Sequence, residues 1–215
     1  MTYFEVLVEG YSDVPTIREI LTRRFKLEDK VDFRIHPHKG RGRLPQDLLA
    51  RPDPRQQTLL HQLPAKLKGF SYLGENACVV VLVDLDNDDP VALMSELDSL
   101  SSKLPQFPKR VLFRLAIEET ESWFIADTQA VQTAYPRAKI QKLKGIEPDA
   151  VVGAWEKLAD ALKLNVNSVS GTDKVEWANA IAPHMDLFQA KSPSLQAVID
   201  GIHNELLLPE SAQLQ

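Results

Sequence analysis

The chain has 215 residues, of which 44% are hydrophobic and 26% are charged, and its formal net charge is -5. This length and composition are ordinary for a globular protein with a full apolar core. The negative net charge argues against a surface coated with positive charge for DNA, although it allows a local basic groove. No apolar run approaches the length of a membrane span, and the N-terminus lacks a signal-peptide pattern. The single cysteine, Cys78, cannot form an internal disulfide, so we expect a cytoplasmic protein that does not contact a membrane.

The first half of the sequence alternates between strand and helix patterns. Four apolar runs predict strands, over residues 3–9, 31–36, 77–83 and 110–117. Helical patterns fill the intervals. One begins with Ser12 or Asp13 as its cap, and another covers residues 90–104. Residues 45–70 are mostly helical in pattern, with an interruption near Pro52–Pro54 and a bend or break at Pro64. Strands that alternate with helices in this way are typical of an α/β fold with a parallel sheet.

The second half contains helical patterns and no strong strand signal. Helices are predicted over residues 119–135, with a restart at Asp127, and near 148–163, 172–185 and 193–207. We therefore predict an α/β core over residues 1–123 and a C-terminal helical extension over residues 124–215 that packs on the core. Residues 211–215 are predicted to be a frayed tail.

Acidic residues follow three of the four predicted strands. They are Glu9 after the first strand, Asp84, Asp86 and Asp88 after the third, and Glu118, Glu119 and Glu121 after the fourth. Because parallel strands end at one edge of the sheet, where open α/β sheets bind ligands, we expect these carboxylates to lie close together. Like charges so close repel unless a cation lies among them, and oxygen ligands suit Mg²⁺ or Mn²⁺. The sequence therefore predicts a site for one or two divalent ions.

A basic loop follows the second predicted strand. Lys39, Arg41 and Arg43 alternate there with Gly40 and Gly42. The three cations are candidates for contacts with the backbone of DNA or RNA, and the glycines allow a close approach. The alternative is a solvated, flexible loop.

A strand that ends in Glu9-Gly10 and leads into a helix, followed much later by a strand that ends in Asp84-Leu85-Asp86, resembles the Toprim domain. This domain occurs in topoisomerases, bacterial primases and nucleases of the overcoming-lysogenization-defect type. The resemblance covers roughly residues 3–123 and implies a parallel sheet, here of four strands flanked by helices. It also implies that Glu9 is a general acid/base or a metal ligand, and that Asp84 and Asp86 bind Mg²⁺.

In the nuclease relatives, additional acids complete a two-metal site. Glu119 and Glu121 are the candidates for that role here, ahead of Glu118. More narrowly, the chain resembles a bacterial Toprim-like family known only as a domain of unknown function. The residues that carry this resemblance are Val8-Glu9-Gly10, Glu119-x-Glu121-x-Trp123 with Asp127 close behind, and Ser192-Pro193-Ser194.

These patterns together favour a Mg²⁺-dependent nuclease. Asp84 and Asp86 would hold the ion, with Asp88 as a further ligand, and Glu9 would manage a proton or help to hold the metal. Topoisomerases of this class need a tyrosine nucleophile from another domain, so hydrolysis is the simpler interpretation. We expect Tyr11, which lies near the site, to pack on its own helix.

Two other functions stay open. Phosphatases of the haloacid dehalogenase type also carry Asp-x-Asp after an apolar strand, and there Asp84 would be the nucleophile and Asp86 the general acid. That motif normally opens the domain, whereas a strand–helix–strand unit precedes it here. The second alternative is a non-catalytic metal- or nucleic-acid-binding subunit. Because the sequence lacks a Gly-x-x-x-x-Gly-Lys-Ser/Thr loop, the ATPase of such a complex, in phage defence or repair, would be a separate protein.

Overall fold

The computed structural model describes residues 1–208, so the tail predicted over 211–215 lies outside the described residues. A four-stranded parallel sheet forms the centre, with the strand order β2-β1-β3-β4. Its strands are β1 (Tyr3–Val8), β2 (Phe33–Pro37), β3 (Ala77–Asp84) and β4 (Val111–Ala116). The predicted α/β class and the parallel four-stranded sheet are confirmed.

The central strands, β1 and β3, pair in register, with Val6 opposite Val80 and Leu7 opposite Val81. Both strands are buried on their two faces, as expected for the middle of a parallel sheet. The chain places β2 on one side of β1 and β3 on the other, so the ends of β1 and β3 flank the point where the strand order reverses. Open α/β sheets bind their ligands at such a point.

Helices flank the sheet and continue after it. The described residues contain α1 (Asp13–Glu19, continued by a π-helical turn over Ile20–Arg24), α2 (Leu59–Phe70), α3 (Pro90–Asp98), α4 (Leu100–Lys103), α5 (Glu121–Ala126), α6 (Thr128–Ala134), α7 (Ala154–Ala161), α8 (Gly171–Ile181) and α9 (Pro193–Leu207). The predicted restart at Asp127 separates α5 from α6, where the Asp127 side chain accepts a hydrogen bond from the N–H of Ala130. No helix within residues 1–208 has both the length and the apolar content to cross a membrane.

Two predicted elements differ from the structure. The mostly helical segment predicted over 45–70 is helical only in α2, and the prolines before Leu59 disfavour helical backbone well beyond the interruption predicted near Pro52–Pro54. The helix is not broken at Pro64, because Pro64 lies inside α2. The predicted strand over 31–36 begins only at Phe33, and Val31 is 61% exposed. Val31 lies in a turn in which its N–H donates to the carbonyl oxygen of Glu28.

The sheet has an apolar layer on each face, because alternate residues of a strand point to opposite sides. Val6 and Val80 face a layer built with α1 and with the helices after residue 120. Leu7 and Val81 face a second layer built with α2, α3 and α4. The helical extension therefore shares its core with one face of the sheet.

A buried polar network joins α5 to the start of α9. The indole N–H of Trp123 donates to Ser194 Oγ at 2.8 Å. The carboxylate of Asp149 accepts hydrogen bonds from Ser192 Oγ, Ser194 Oγ and the N–H of Ser194. Two of the sequence signatures, the one that ends in Trp123 and the Ser-Pro-Ser segment, thus meet in this network.

We expect Asp149→Ala to lower the free energy of unfolding by about 3 kcal/mol, because it leaves several buried donors without an acceptor. Thermal unfolding should show a decrease in Tm of roughly 6–12 °C for a chain of this size. Asp160→Ala is the matched control, since Asp160 forms an exposed ion pair with Lys142 that contributes about 1 kcal/mol or less. Equal losses in the two variants would contradict a structural role for the network.

Candidate functional site

Glu9 and Asp84 meet at the ends of the two central strands. Glu9 directly follows β1 and is 9% exposed, and Asp84 is the last residue of β3. The backbone N–H of Asp84 donates to Glu9 Oε1 at 2.8 Å. The structure thus places these two predicted site residues side by side, at the point where the strand order reverses.

Asp13 is a further acid at this edge, and its sequence position predicted only that it caps or begins α1. Asp13 is only 3% exposed. Its carboxylate accepts hydrogen bonds from the N–H of Gly10 and from the hydroxyl of Thr120, both at 2.9 Å. Asp13 therefore links the start of α1 to the segment before α5. The sequence did contain a signal for this placement: Asp13 lies four residues after Glu9, at the start of the helix that follows the same strand end.

Glu119 and Glu121 extend the acidic group, but they share a cation. Lys174 Nζ, from α8, lies 3.4 Å from Glu119 Oε1 and 3.4 Å from Glu121 Oε1. The same ammonium lies 5.0 Å from the centre of the Trp155 ring. No sequence signal pointed to Lys174, because it belongs to an ordinary helical pattern in the extension.

The pKa values of these acids are raised, chiefly because burial disfavours their charged forms. The pKa of Glu9 is raised to about 8 and that of Asp13 to about 6. Burial, with repulsion from Glu121, raises the pKa of Glu119 to about 7. The pKa of Asp84 is raised well above its ordinary value by burial and then by the charges of Asp13 and Glu9. The site thus has a deficit of positive charge around Glu9 and Asp84.

Asp86 and Asp88, which were predicted to be metal ligands, pair with an arginine. They lie in the loop after β3, with side chains 49% and 57% exposed. Arg41 contacts Asp86 Oδ2 at 3.1 Å and also pairs with Asp88. The Arg41 side chain, predicted to contact nucleic acid, is only 14% exposed. Its ion pairs connect the basic loop after β2 to the acidic loop after β3.

Glu118 turns away from the other acids. Its backbone has a φ of +63°, and its carboxylate oxygens accept hydrogen bonds from the N–H groups of Gly153 and Ala154 at 2.6 and 3.0 Å. These contacts cap the start of α7. This placement agrees with the lower rank that the sequence gave to Glu118 as a ligand.

The donors fit a divalent ion by their chemistry and charge, although they do not form a closed protein cage. No three His, Cys, Asp or Glu side chains of residues 1–208 are arranged to hold a metal ion. Mg²⁺, however, is commonly held by one or two carboxylates, several waters and substrate phosphates. The Asp84 carboxylate accepts no hydrogen bond from a described residue, and the same is true of the buried Glu119 Oε2. One ion beside Glu9 and Asp84 fits best, since Lys174 already balances the charge near Glu119.

A positively charged groove begins next to the acidic site. The N–H of Gly40 donates to the backbone oxygen of Glu9 at 2.9 Å. Beyond it lie two adjoining cavities of about 300 and 670 Å³, which share Lys39. Their lining contains no acidic residue and contains four cations, Lys39, Arg43, Arg55 and Lys66. Tyr11, expected to pack on its helix, is instead 63% exposed and lines the smaller cavity.

Comparison with known proteins bears on the family rather than on the activity. No curated protein and no solved structure matches the chain. A family model described as "Domain of unknown function (DUF4276)" matches residues 8–203, a range that begins at the end of β1 and ends within α9. The match agrees with the narrower resemblance seen in the sequence, while the relationship to Toprim nucleases stays a prediction. The chain belongs to the DUF4276 family.

Proposed function

We propose that the protein hydrolyses phosphodiester bonds of DNA or RNA with a divalent ion, Mg²⁺ or Mn²⁺. The observation that carries this proposal is the pair of buried Glu9 and half-buried Asp84 at neighbouring strand ends, where positive charge is lacking. A positive groove beside the pair suits the phosphate backbone of the substrate. The resemblance to Toprim nucleases in sequence supports the same activity.

In this proposal Asp84 would hold the ion together with a substrate phosphate, and Glu9 lies beside it. When bound, the ion would neutralise charge on the phosphate and favour attack by water. Glu9 Oε1 is held by the N–H of Asp84, so Oε2 is the atom that takes up or returns a proton. Lys39 would contact the phosphate backbone further along the groove, while Lys174 stays paired with Glu119 and Glu121.

Asp86 and Asp88 have a conditional role in the proposed mechanism. In the structure their carboxylates are partners of Arg41. A phosphate group in the groove would compete for the same guanidinium, since arginine binds phosphate and carboxylate in similar geometry. Substrate would then release Asp86 toward the ion and bring Arg41 onto the nucleic acid.

The test is a cleavage assay with purified protein and labelled single- and double-stranded DNA and RNA. We expect cleavage with Mg²⁺ or Mn²⁺, none in EDTA, and none for Glu9→Gln, since the variant cannot accept a proton at the carboxylate. Glu96→Gln, at an exposed position of α3, should retain the wild-type rate. Cleavage that persists in Glu9→Gln, or in EDTA, would contradict the proposal.

A non-catalytic subunit that binds metal or nucleic acid is the second candidate. Arg41 and Lys174 already form ion pairs with four of the six acids predicted to bind metal, namely Asp86, Asp88, Glu119 and Glu121. This candidate predicts that calorimetry detects binding of Mn²⁺ without cleavage of any substrate. It also predicts that a separate ATPase co-purifies with the protein from its native cells.

A phosphatase of the haloacid dehalogenase type has less support. Its Asp-x-Asp motif normally opens the domain, whereas β1, α1 and β2 precede Asp84 here, and Glu9 would have no role in its chemistry. Trapping of a covalent phosphoryl group on Asp84 would identify this activity.

A further inference from the structure

The smaller cavity, of about 300 Å³, has features that backbone binding does not require. It lies on the β2 side of the acidic site and is lined in part by Tyr11, His38, Lys39 and Lys66. Tyr11 follows Glu9 by two residues, and the His38 N–H donates to the backbone oxygen of Val8. The cavity therefore opens directly beside the proposed catalytic pair.

His38 lines the cavity with a neutral ring that is fixed by the backbone. Its Nδ1 lies 2.8 Å from the backbone oxygen of Val8, which can only accept, so Nδ1 carries the proton. Nε2 is then an acceptor, and it is buried without a partner among residues 1–208. His38 is 6% exposed, and burial lowers its pKa, which keeps the ring neutral. His38 therefore contributes an uncharged, fixed ring to the wall of the cavity, which suits a flat uncharged group more than a second phosphate.

The other walls supply an aromatic face and unpaired positive charge. Tyr11 is 63% exposed, so its ring is open to a planar ligand. Lys39 is exposed and Lys66 is half-buried, and neither forms an ion pair within the described part of the chain. An aromatic ring beside cations is the usual arrangement for binding single-stranded nucleic acid, in which each base offers a flat face.

We propose that this cavity binds one unpaired nucleobase of a single-stranded nucleic acid, and that it thereby sets the substrate class of the proposed nuclease. Tyr11 stacks on the base, the neutral His38 ring forms part of the wall beside it, and Lys39 and Lys66 contact the adjoining phosphates. The volume lies at the lower end of the range for small-ligand sites, roughly 300–1,000 Å³, which suits a single base and excludes a duplex. This inference rests on the proposed function, because it assumes that the substrate is nucleic acid.

Binding is measured in EDTA, by fluorescence anisotropy of a labelled single-stranded oligonucleotide, its duplex and a strand of abasic sugars. We expect the single strand to bind at least tenfold more tightly than the other two. Tyr11→Ala should weaken binding to the single strand by roughly 5- to 150-fold, the range for loss of one stacked base. Tyr11→Phe should restore it. Tyr72→Ala is the matched control, since Tyr72 is 77% exposed and lies outside the cavity lining.

The salt dependence separates stacking from charge. Tyr11→Ala should leave the slope of affinity against salt unchanged, whereas Lys66→Gln should reduce it. Equal binding of single strand and duplex, or wild-type affinity in Tyr11→Ala, would overturn the inference. If a free mononucleotide displaces the labelled strand when both are at the same concentration, the assignment of the ligand as a polymer would be overturned.

The two proposals fail separately. Because EDTA prevents metal-dependent cleavage, the binding assay does not depend on Glu9 or Asp84 as ion ligands. Tyr11-dependent binding of single strands without cleavage under any metal would refute the nuclease and keep the base pocket. Cleavage with unchanged binding in Tyr11→Ala would refute only the pocket.

Discussion

Asp84→Asn should abolish cleavage and, at the same time, stabilise the metal-free protein. The carboxylate of Asp84 lies against Glu9 and Asp13, and burial and repulsion raise its pKa. An amide of the same shape removes that repulsion, so the free energy of unfolding in EDTA at pH 8 should rise by about 2 kcal/mol. A bound ion contributes several kcal/mol of charge stabilisation, so the loss of its ligand should lower the cleavage rate by about 10³-fold or more.

Thermal unfolding in EDTA and the cleavage rate in Mn²⁺ check the two halves of this prediction. We expect Tm to rise by roughly 4–8 °C in the variant. Asp98→Asn, at an exposed position of α3, is the control and should change neither quantity. A decrease in both stability and activity would indicate that Asp84 supports the fold and would remove the reason for placing an ion there.

The stability of the metal-free protein should fall as the pH rises from 5 to 8. In the unfolded chain a glutamate ionises near its ordinary pKa of about 4.3, whereas the pKa of Glu9 in the folded protein is about 8. Between these values the unfolded state has released its proton and the folded state has kept it, so higher pH favours unfolding. For Glu9 alone the loss over this range is on the order of 4 kcal/mol, or roughly 10 °C in Tm.

The measurement is a series of thermal unfolding curves in EDTA, compared with the same series for Glu9→Gln. Taking the difference between the two proteins removes the opposite contribution of His38, whose lowered pKa makes higher pH stabilising. Addition of Mn²⁺ at pH 8 should recover most of the lost Tm in the wild type and little in the variant. Parallel curves for the two proteins would show that Glu9 does not keep a proton in the folded state.

Local patterns in the sequence sufficed for the sheet and for the first two members of the acidic site. The run before Asp84 is apolar at every position, which is typical of a central parallel strand. Glu9 and Asp84 follow such runs directly, and the common direction of parallel strands brings their ends to one edge. The start of α1 and the separation of α5 from α6 likewise depend on nearby residues.

What the sequence left undetermined depends on contacts between distant segments. Lys174 reaches Glu119 and Glu121 because α8 packs near α1, and no periodicity encodes that approach. Arg41 lies close to Asp86 because the loops after β2 and β3 meet across the end of β1. The residues that neighbour Lys174 and Arg41 in the sequence give no indication of these contacts.

The cation that Lys174 supplies from the extension also makes the acidic edge of the sheet depend on the helices that follow it. Glu119 and Glu121 follow β4, whereas their counter-charge comes from α8. A chain cut before α8 would keep the buried Glu121 and the half-buried Glu119 without their ammonium, so the two carboxylates would repel each other. A fragment that ends before α8 is therefore an unsuitable substitute for the full chain in assays of this site.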